Sequence, residues 1–326
     1  MKDAAWKKLR HRLEWLFCAA LAWLIPRLPR KACVAFAKAV GALAFALDAR
    51  GRAVALANLE AAFGERFNLN ERKRIARASY QNFARTMLDL FWAPGLAKAP
   101  ERWLRYENLE IFHALQKSGR GFAAIVTHVG GFEWASIACG FAGSPGLIVA
   151  EAFKNPLLTP IFKRLREISG HQMIPQENSI IRMLKHTKRG GAVGALVDLN
   201  VPPTQAATVI GALGMEMCVT VLHSVIAQRA PALLLPITSE PLDDGTCRVR
   251  FHAPLEFARD TSLQQIAQGC WNAFEETIRA HPDLWMWSYK HWRYKPKDAT
   301  RPYPFYANVS SKFEKLRRAQ LPGQNI

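Results

Sequence analysis

Between residues 121 and 280 the chain alternates short apolar runs with segments of helical spacing, and no other feature constrains the fold as much. The runs 121–127 (GFAAIVT), 147–150, 194–197 and 232–237 are short and rich in Val, Ile, Leu and Ala. Apolar runs of this length, bounded by turn residues, read as strands buried on both faces. Helical segments fall between and after them: Leu109–Lys117, Phe132–Phe141, 155–168 opened by Asn155-Pro156, Ser179–Lys188, 217–229 and 262–280. Residues 248–252 read as an edge strand. This alternation predicts an α/β fold with a mostly parallel or mixed sheet covered by helices.

The first hundred residues have a different pattern. Ala53, Leu56, Leu59 and Phe63 keep helical spacing, followed by Ile75, Ala78, Phe83, Met87 and Leu90, with Asn70-Glu71 as a start for the second helix. Pro94-Gly95 and Pro100 break the pattern and place a boundary near residue 100. Four regions follow: a basic N-terminus with membrane-associated helices at 1–48, a helical subdomain at 49–100, the α/β domain at 101–295, and a solvated basic C-terminal tail at 296–326.

At the N-terminus Lys2, Lys7, Lys8, Arg10 and Arg12 precede an apolar run at 15–25, which Pro26-Arg27-Leu28-Pro29-Arg30-Lys31 stops. The run is about half of the roughly 20 residues a helix needs to cross a bilayer. No small-x-small cleavage pattern follows it, which argues against a signal peptide. A second run, 32–47, is interrupted only by Lys38. The pair reads as a helical membrane-anchoring region that dips into or lies on a bilayer, its basic flanks held by anionic headgroups. The alternative is two buried helices of a helical subdomain.

The formal net charge is +18, which points to acidic partners: nucleic acid, anionic membrane, phosphorylated ligands or an acidic protein. Six scattered cysteines without a C-x-x-C make neither a disulfide framework nor a zinc site, and no metal is expected.

Open α/β sheets bind ligands where strand C-termini meet helix N-termini. Thr127-His128-Val129-Gly130-Gly131-Phe132-Glu133 fits such a place. His128 ends an apolar strand, Gly130 and Gly131 permit a sharp turn, and Glu133 falls in the first turn of a helix, where a carboxylate is favoured. His128 and Glu133 then face each other across the turn as a base and its orienting carboxylate. The five-residue spacing alone is a chance event in a chain with nine histidines and 26 acidic residues; the strand–turn–helix setting gives it meaning. No G-x-S-x-G elbow, P-loop or H-E-x-x-H is present. A base without a protein nucleophile suggests deprotonation of a substrate hydroxyl that attacks an activated acyl group, with turn amides or an arginine stabilising the oxyanion.

The TH-x-G-G-x-E block resembles the H-x4-[DE] motif of glycerolipid-type acyltransferases, and specifically the late acyltransferases of lipid A biosynthesis (lauroyl and myristoyl transferases). The resemblance extends from about residue 13 to 295. The segment 52–63 is similar to the family's R-V-x-x-N-L-x-x-A-F, and 155–170, with Arg166 four before Gly170, is similar to its R-x3-G block. Val197-Asp198 matches its buried-strand Asp. Pro282-x-x-Trp285-x-Trp287 with Trp292-Arg293 looks like its closing signature.

The resemblance implies an O-acyltransferase on the cytoplasmic face of the inner membrane. Its donor would be acyl-carrier protein, or a CoA thioester, as co-substrate, with no resident cofactor. Its partners would be anionic membrane lipid and a phosphorylated glycolipid acceptor, and not nucleic acid. His128 is then the base and Glu133 its orienter. Arg166, or its neighbour Arg164, and Asp198 bind the acceptor or organise the pocket. The chain departs from the family at Leu199, where Gln is common after the Asp, and at Tyr289 and His291, where His and Arg are common. It also has Val209-Ile210-Gly211 for Phe-Phe-Gly. These departures bear on acceptor and chain length. Two other readings compete: acylation of another membrane lipid, and a non-catalytic basic protein that binds membrane or nucleic acid. Trp285, Trp287, Trp292 and Tyr294, interleaved with Lys290, Arg293 and Lys295, suit base stacking, a bilayer interface or core packing alike.

Overall fold

The computed structural model describes residues 2–150 and 153–320. Four helices come first: α1 (Lys2–Leu24), α2 (Arg30–Leu47), α3 (Ala49–Phe63) and α4 (Leu69–Leu96). Then follow α5 (Pro100–Trp103), β1 (Leu104–Glu107), α6 (Leu109–Lys117), β2 (Phe122–Val126), α7 (Phe132–Phe141), β3 (Gly146–Ala150), α8 (Thr159–Arg166), β4 (Gln172–Pro175), α9 (Ser179–Lys188) and β5 (Ala192–Leu196). The chain continues with β6 (Ala207–Ala212), β7 (Met215–Thr220), α10 (Leu222–Arg229), β8 (Leu233–Pro241), β9 (Cys247–Phe251) and α11 (Leu263–Ala280). It closes with β10 (Tyr294–Lys295), β11 (Asn308–Val309) and α12 (Ser311–Arg318).

Seven strands form one sheet in the order β1-β9-β8-β2-β5-β3-β4. Every pairing is parallel except β8 with β9. The expected mixed, parallel-rich sheet is therefore present. The strand at 248–252 is not an edge, because β9 pairs with both β1 and β8.

Strand parity divides the core. Ala123, Ile125, Val193 and Ala195 face α9, α10 and α11, packing with Met183, Ile226 and Phe274. The opposite parity, Ala124 and Val126, faces α7 and α4. Residues 217–220, expected in a helix, belong to β7, which pairs with β6 in a hairpin. Met217, Cys218 and Val219 are consecutive and all buried there, the pattern of a strand covered on both faces. The helix begins only at Leu222.

Local signals fix the helices. Asn68 and Glu71 form a capping box at the start of α4, two residues before the expected Asn70-Glu71 start. That helix runs through Pro94 to Leu96, so the break comes later than the proline suggested. Residues 296–320 are not a solvated tail: Phe313 is fully buried, and Arg317 bridges Glu216 and Asp298.

The N-terminal helices are bound to the sheet domain by polar contacts. Asn155 donates from Nδ2 to the His11 carbonyl and to Glu14, both at 2.9 Å. Arg30, at the start of α2, is buried between the Trp92 and Trp134 rings and donates to Asp89 Oδ1 at 2.6 Å and to the Gly245 carbonyl. Arg85 also stands 3.6 Å from Asp89. Removing the carboxylate strands two buried guanidinium groups. Asp89→Ala is expected to cost about 3–5 kcal/mol, read as a lower midpoint of chemical denaturation. A loss under about 1 kcal/mol, the worth of an exposed pair, contradicts the buried lock.

No single helix among the described residues is long and apolar enough to cross a membrane. One bent pair, Arg30–Leu47 with Ala49–Arg66 at 92°, passes by length and composition together. The outer faces of α1 and α2 expose Trp6, Leu13, Phe17, Trp23, Leu43 and Leu47.

Candidate active site

β2 and β5 are neighbouring parallel strands in a fixed register: Phe122 lies opposite Ala192, Ala124 opposite Gly194, and Val126 opposite Leu196. Two residues past the last pair, on the same face, come His128 and Asp198. The imidazole Nδ1 lies 2.9 Å from Asp198 Oδ1, and the His128 amide donates to Oδ2 at 2.9 Å. The Trp285 indole N–H also donates to Oδ2 at 2.9 Å. Asp198 is fully buried, yet all of its contacts are donors. Burial alone would raise its carboxyl; the His128 charge and hydrogen bond, with help from the His291 charge and the Trp285 hydrogen bond, hold it at about 2. An ionised carboxylate only accepts, so Nδ1 carries the proton and Nε2 keeps its lone pair.

Burial lowers the His128 pKa, but the Asp198 charge and hydrogen bond, joined by the Glu133 charge, outweigh it and leave the imidazole above its ordinary 6.5. The orienting carboxylate is therefore Asp198 and not Glu133. Glu133 is taken by Arg166, which grips it with two nitrogens, Nε to Oε2 at 3.0 Å and a second bond to Oε1. At the turn between His128 and Glu133, Gly130 has a φ of +60°. A Cβ there would sit 1.7 Å from the Ser239 carbonyl. This close approach turns the chain so that Glu133 meets α8 instead of the imidazole.

The diglycine amides are not available to a ligand. Gly130 N donates to the Leu284 carbonyl and Gly131 N to the Ser239 carbonyl. The free donors are one step on, at the first turn of α7, where the amides of Phe132 and Glu133 have no acceptor among the described residues. Arg164 is exposed on α8 and does not line the site; Arg166 does.

Sequence reasoning missed the supports. The three tryptophans Trp285, Trp287 and Trp292 are fully buried, which decides for core packing. Asn58 of α3 donates to the Trp287 and Tyr289 carbonyls, and Ser79 of α4 to the Trp285 carbonyl. Helices α3 and α4 thus fix the tryptophan loop, and the loop holds Asp198 through Trp285. The buried Asn in the N-L-x-x-A-F segment was the available signal.

His128 lines a cavity of about 480 Å³, within the usual range for ligand pockets. Its walls are mostly apolar: Phe83, Met87, Val126, Phe132, Ile148, Phe153 and Leu196. A hydrocarbon chain fits this lining, with the imidazole, Glu133 and Arg166 as the polar end. A family model described as bacterial lipid A biosynthesis acyltransferase matches residues 2–294. The chain belongs to that family. It is an acyltransferase, and the non-catalytic reading falls away. No curated protein matches it in sequence. In this acyltransferase His128 and Glu133 of the H-x4-E block and Arg166 of the R-x3-G block line one cavity, and the buried-strand Asp198 holds the imidazole from behind it, paired across strands and not along the chain.

Proposed function

We propose that the protein transfers a fatty acyl group from acyl-carrier protein to a hydroxyl of a lipid A-type phosphorylated glycolipid precursor, at the cytoplasmic face of the inner membrane. The carrying observation is that His128, paired with Asp198, lines a mostly apolar cavity. His128 Nε2 takes the proton from the acceptor hydroxyl, and the oxygen attacks the thioester carbonyl. The tetrahedral oxyanion forms beside the Phe132 and Glu133 amides and the Arg166 guanidinium, whose charge Glu133 positions. Collapse breaks the C–S bond, and the imidazolium returns its proton to the departing thiolate. Asp198 stays ionised throughout and stabilises the imidazolium.

The outer faces of α1 and α2 support the membrane reading. Their exposed tryptophans, Phe17 and leucines share these helices with Lys7, Lys8, Arg12 and Lys31, the mix of an interfacial helix on anionic lipid. The +18 charge suits an acidic carrier protein and a phosphorylated acceptor.

The test is an acyl-transfer assay with the full chain in mixed micelles. Acyl-carrier-protein and CoA thioesters are supplied against a phosphorylated glycolipid and against lysophospholipids. The expected product is a glycolipid heavier by one acyl chain, made faster from the carrier protein. Transfer to lysophospholipid alone, or only from CoA, contradicts the proposal.

A further inference from the structure

Gly194 sits in the middle of β5 with nothing in the backbone to require it. Its φ lies outside the left-handed range, and a Cβ there would meet only Ile148 Cγ1, at an ordinary 3.7 Å. Gly146 and Gly121 differ: a Cβ at either would strike a neighbouring carbonyl oxygen, at 2.6 and 2.0 Å. A glycine inside a strand weakens it and often marks a place where something else comes close. Here the missing side chain is cavity space.

The cavity is built in rows along the strands. Ala124, Gly194 and Ile148 form the middle row, and Phe122, Ala192 and Gly146 the lowest. Below these the lining ends in Cys139, Ser144 and His171. His171 is a fixed plug: Nδ1 accepts from the Gly146 amide at 2.9 Å, and Nε2 donates to the Ser136 carbonyl at 2.7 Å.

We propose that the open middle row, above all Gly194 with Ala124, sets how long a donor acyl chain the enzyme accepts. The inference rests on the reading of this cavity as the donor's acyl pocket. At about 3.3 Å per residue, the His128 row stands about 20 Å above the lowest row and about 13 Å above the middle one. An extended alkyl chain built of C–C bonds of about 1.5 Å advances about 1.25 Å per carbon. After about 3 Å for the reacting atoms, the full depth holds about 12–14 carbons, and the part above the middle row about eight. A side chain at Gly194 divides the cavity at that point.

The experiment measures kcat/KM for acyl-carrier-protein donors of 8, 10, 12, 14 and 16 carbons with the full chain, for wild type, Gly194→Ala, Gly194→Val and Ala124→Leu. A parallel series varies the acyl chains of the acceptor at fixed donor. Wild type is expected to peak at about 12–14 carbons. The Val and Leu variants should lose about tenfold or more on those donors and keep eight-carbon transfer within about threefold, the scale a filled hydrophobic pocket gives. Gly194→Ala shifts the same way by less, and covers the case in which the larger residues disturb β5. An equal loss at every donor length in folded variants overturns the proposal. So does a length shift that follows the acceptor series. Failure of wild type to use any acyl thioester would instead remove the donor reading, a different result from either.

Discussion

His128→Ala should reduce acyl transfer by about 10²–10⁴-fold while the protein stays folded. Folding should survive because Asp198 keeps two of its donors, the Trp285 indole and the amide of residue 128. The loss should fall on kcat, since the imidazole acts on the proton in transit and the apolar walls that hold the chain remain. Turnover within a few fold of wild type, at an unchanged denaturation midpoint, would remove His128 as the base.

Asp198→Asn should be comparably damaging, by up to about 10⁴-fold, for a reason of tautomers. The His128 amide and the Trp285 indole both point N–H groups at one oxygen, so the Asn carbonyl must take that place. Its NH₂ then faces Nδ1 and donates to it. The proton is driven to Nε2, where the base is needed. The pH profile should change as well. In wild type the acid limb of kcat/KM lies above 6.5, because net attraction to Asp198 and Glu133 favours the imidazolium. Loss of the Asp198 charge lowers that pKa, so the limb moves to lower pH while the plateau falls. A limb that stays in place, or moves up, contradicts the pairing.

The sheet was legible because its strands are buried on both faces, and buried parallel strands are written as continuous apolar runs. His128 was legible for the same reason: a polar residue two past Val126 stands out at a strand end. Its partner was not. Glu133 is five residues away and Asp198 seventy, and local sequence favours the near carboxylate. The pairing depends on the register that sets Val126 opposite Leu196, a tertiary fact. Once that register is known, I-V-T-H and L-V-D place both polar groups on one face. The β6–β7 hairpin was missed because its turn, Leu213-Gly214, offers a left-handed leucine where Asn or Asp would have signalled it. Phe313 hid in a basic segment, since one buried aromatic among lysines and arginines reads as a solvated helix until its contacts are seen.

The most direct measurement is a pH titration of ¹⁵N-labelled histidine in the full chain, with the His128 resonance assigned by comparison with His128→Ala. The expected spectrum at high pH shows the Nδ1–H tautomer with Nε2 unprotonated, and the ring titrates above 6.5. A proton resting on Nε2, or a titration below 6.5, contradicts a base held ready by Asp198.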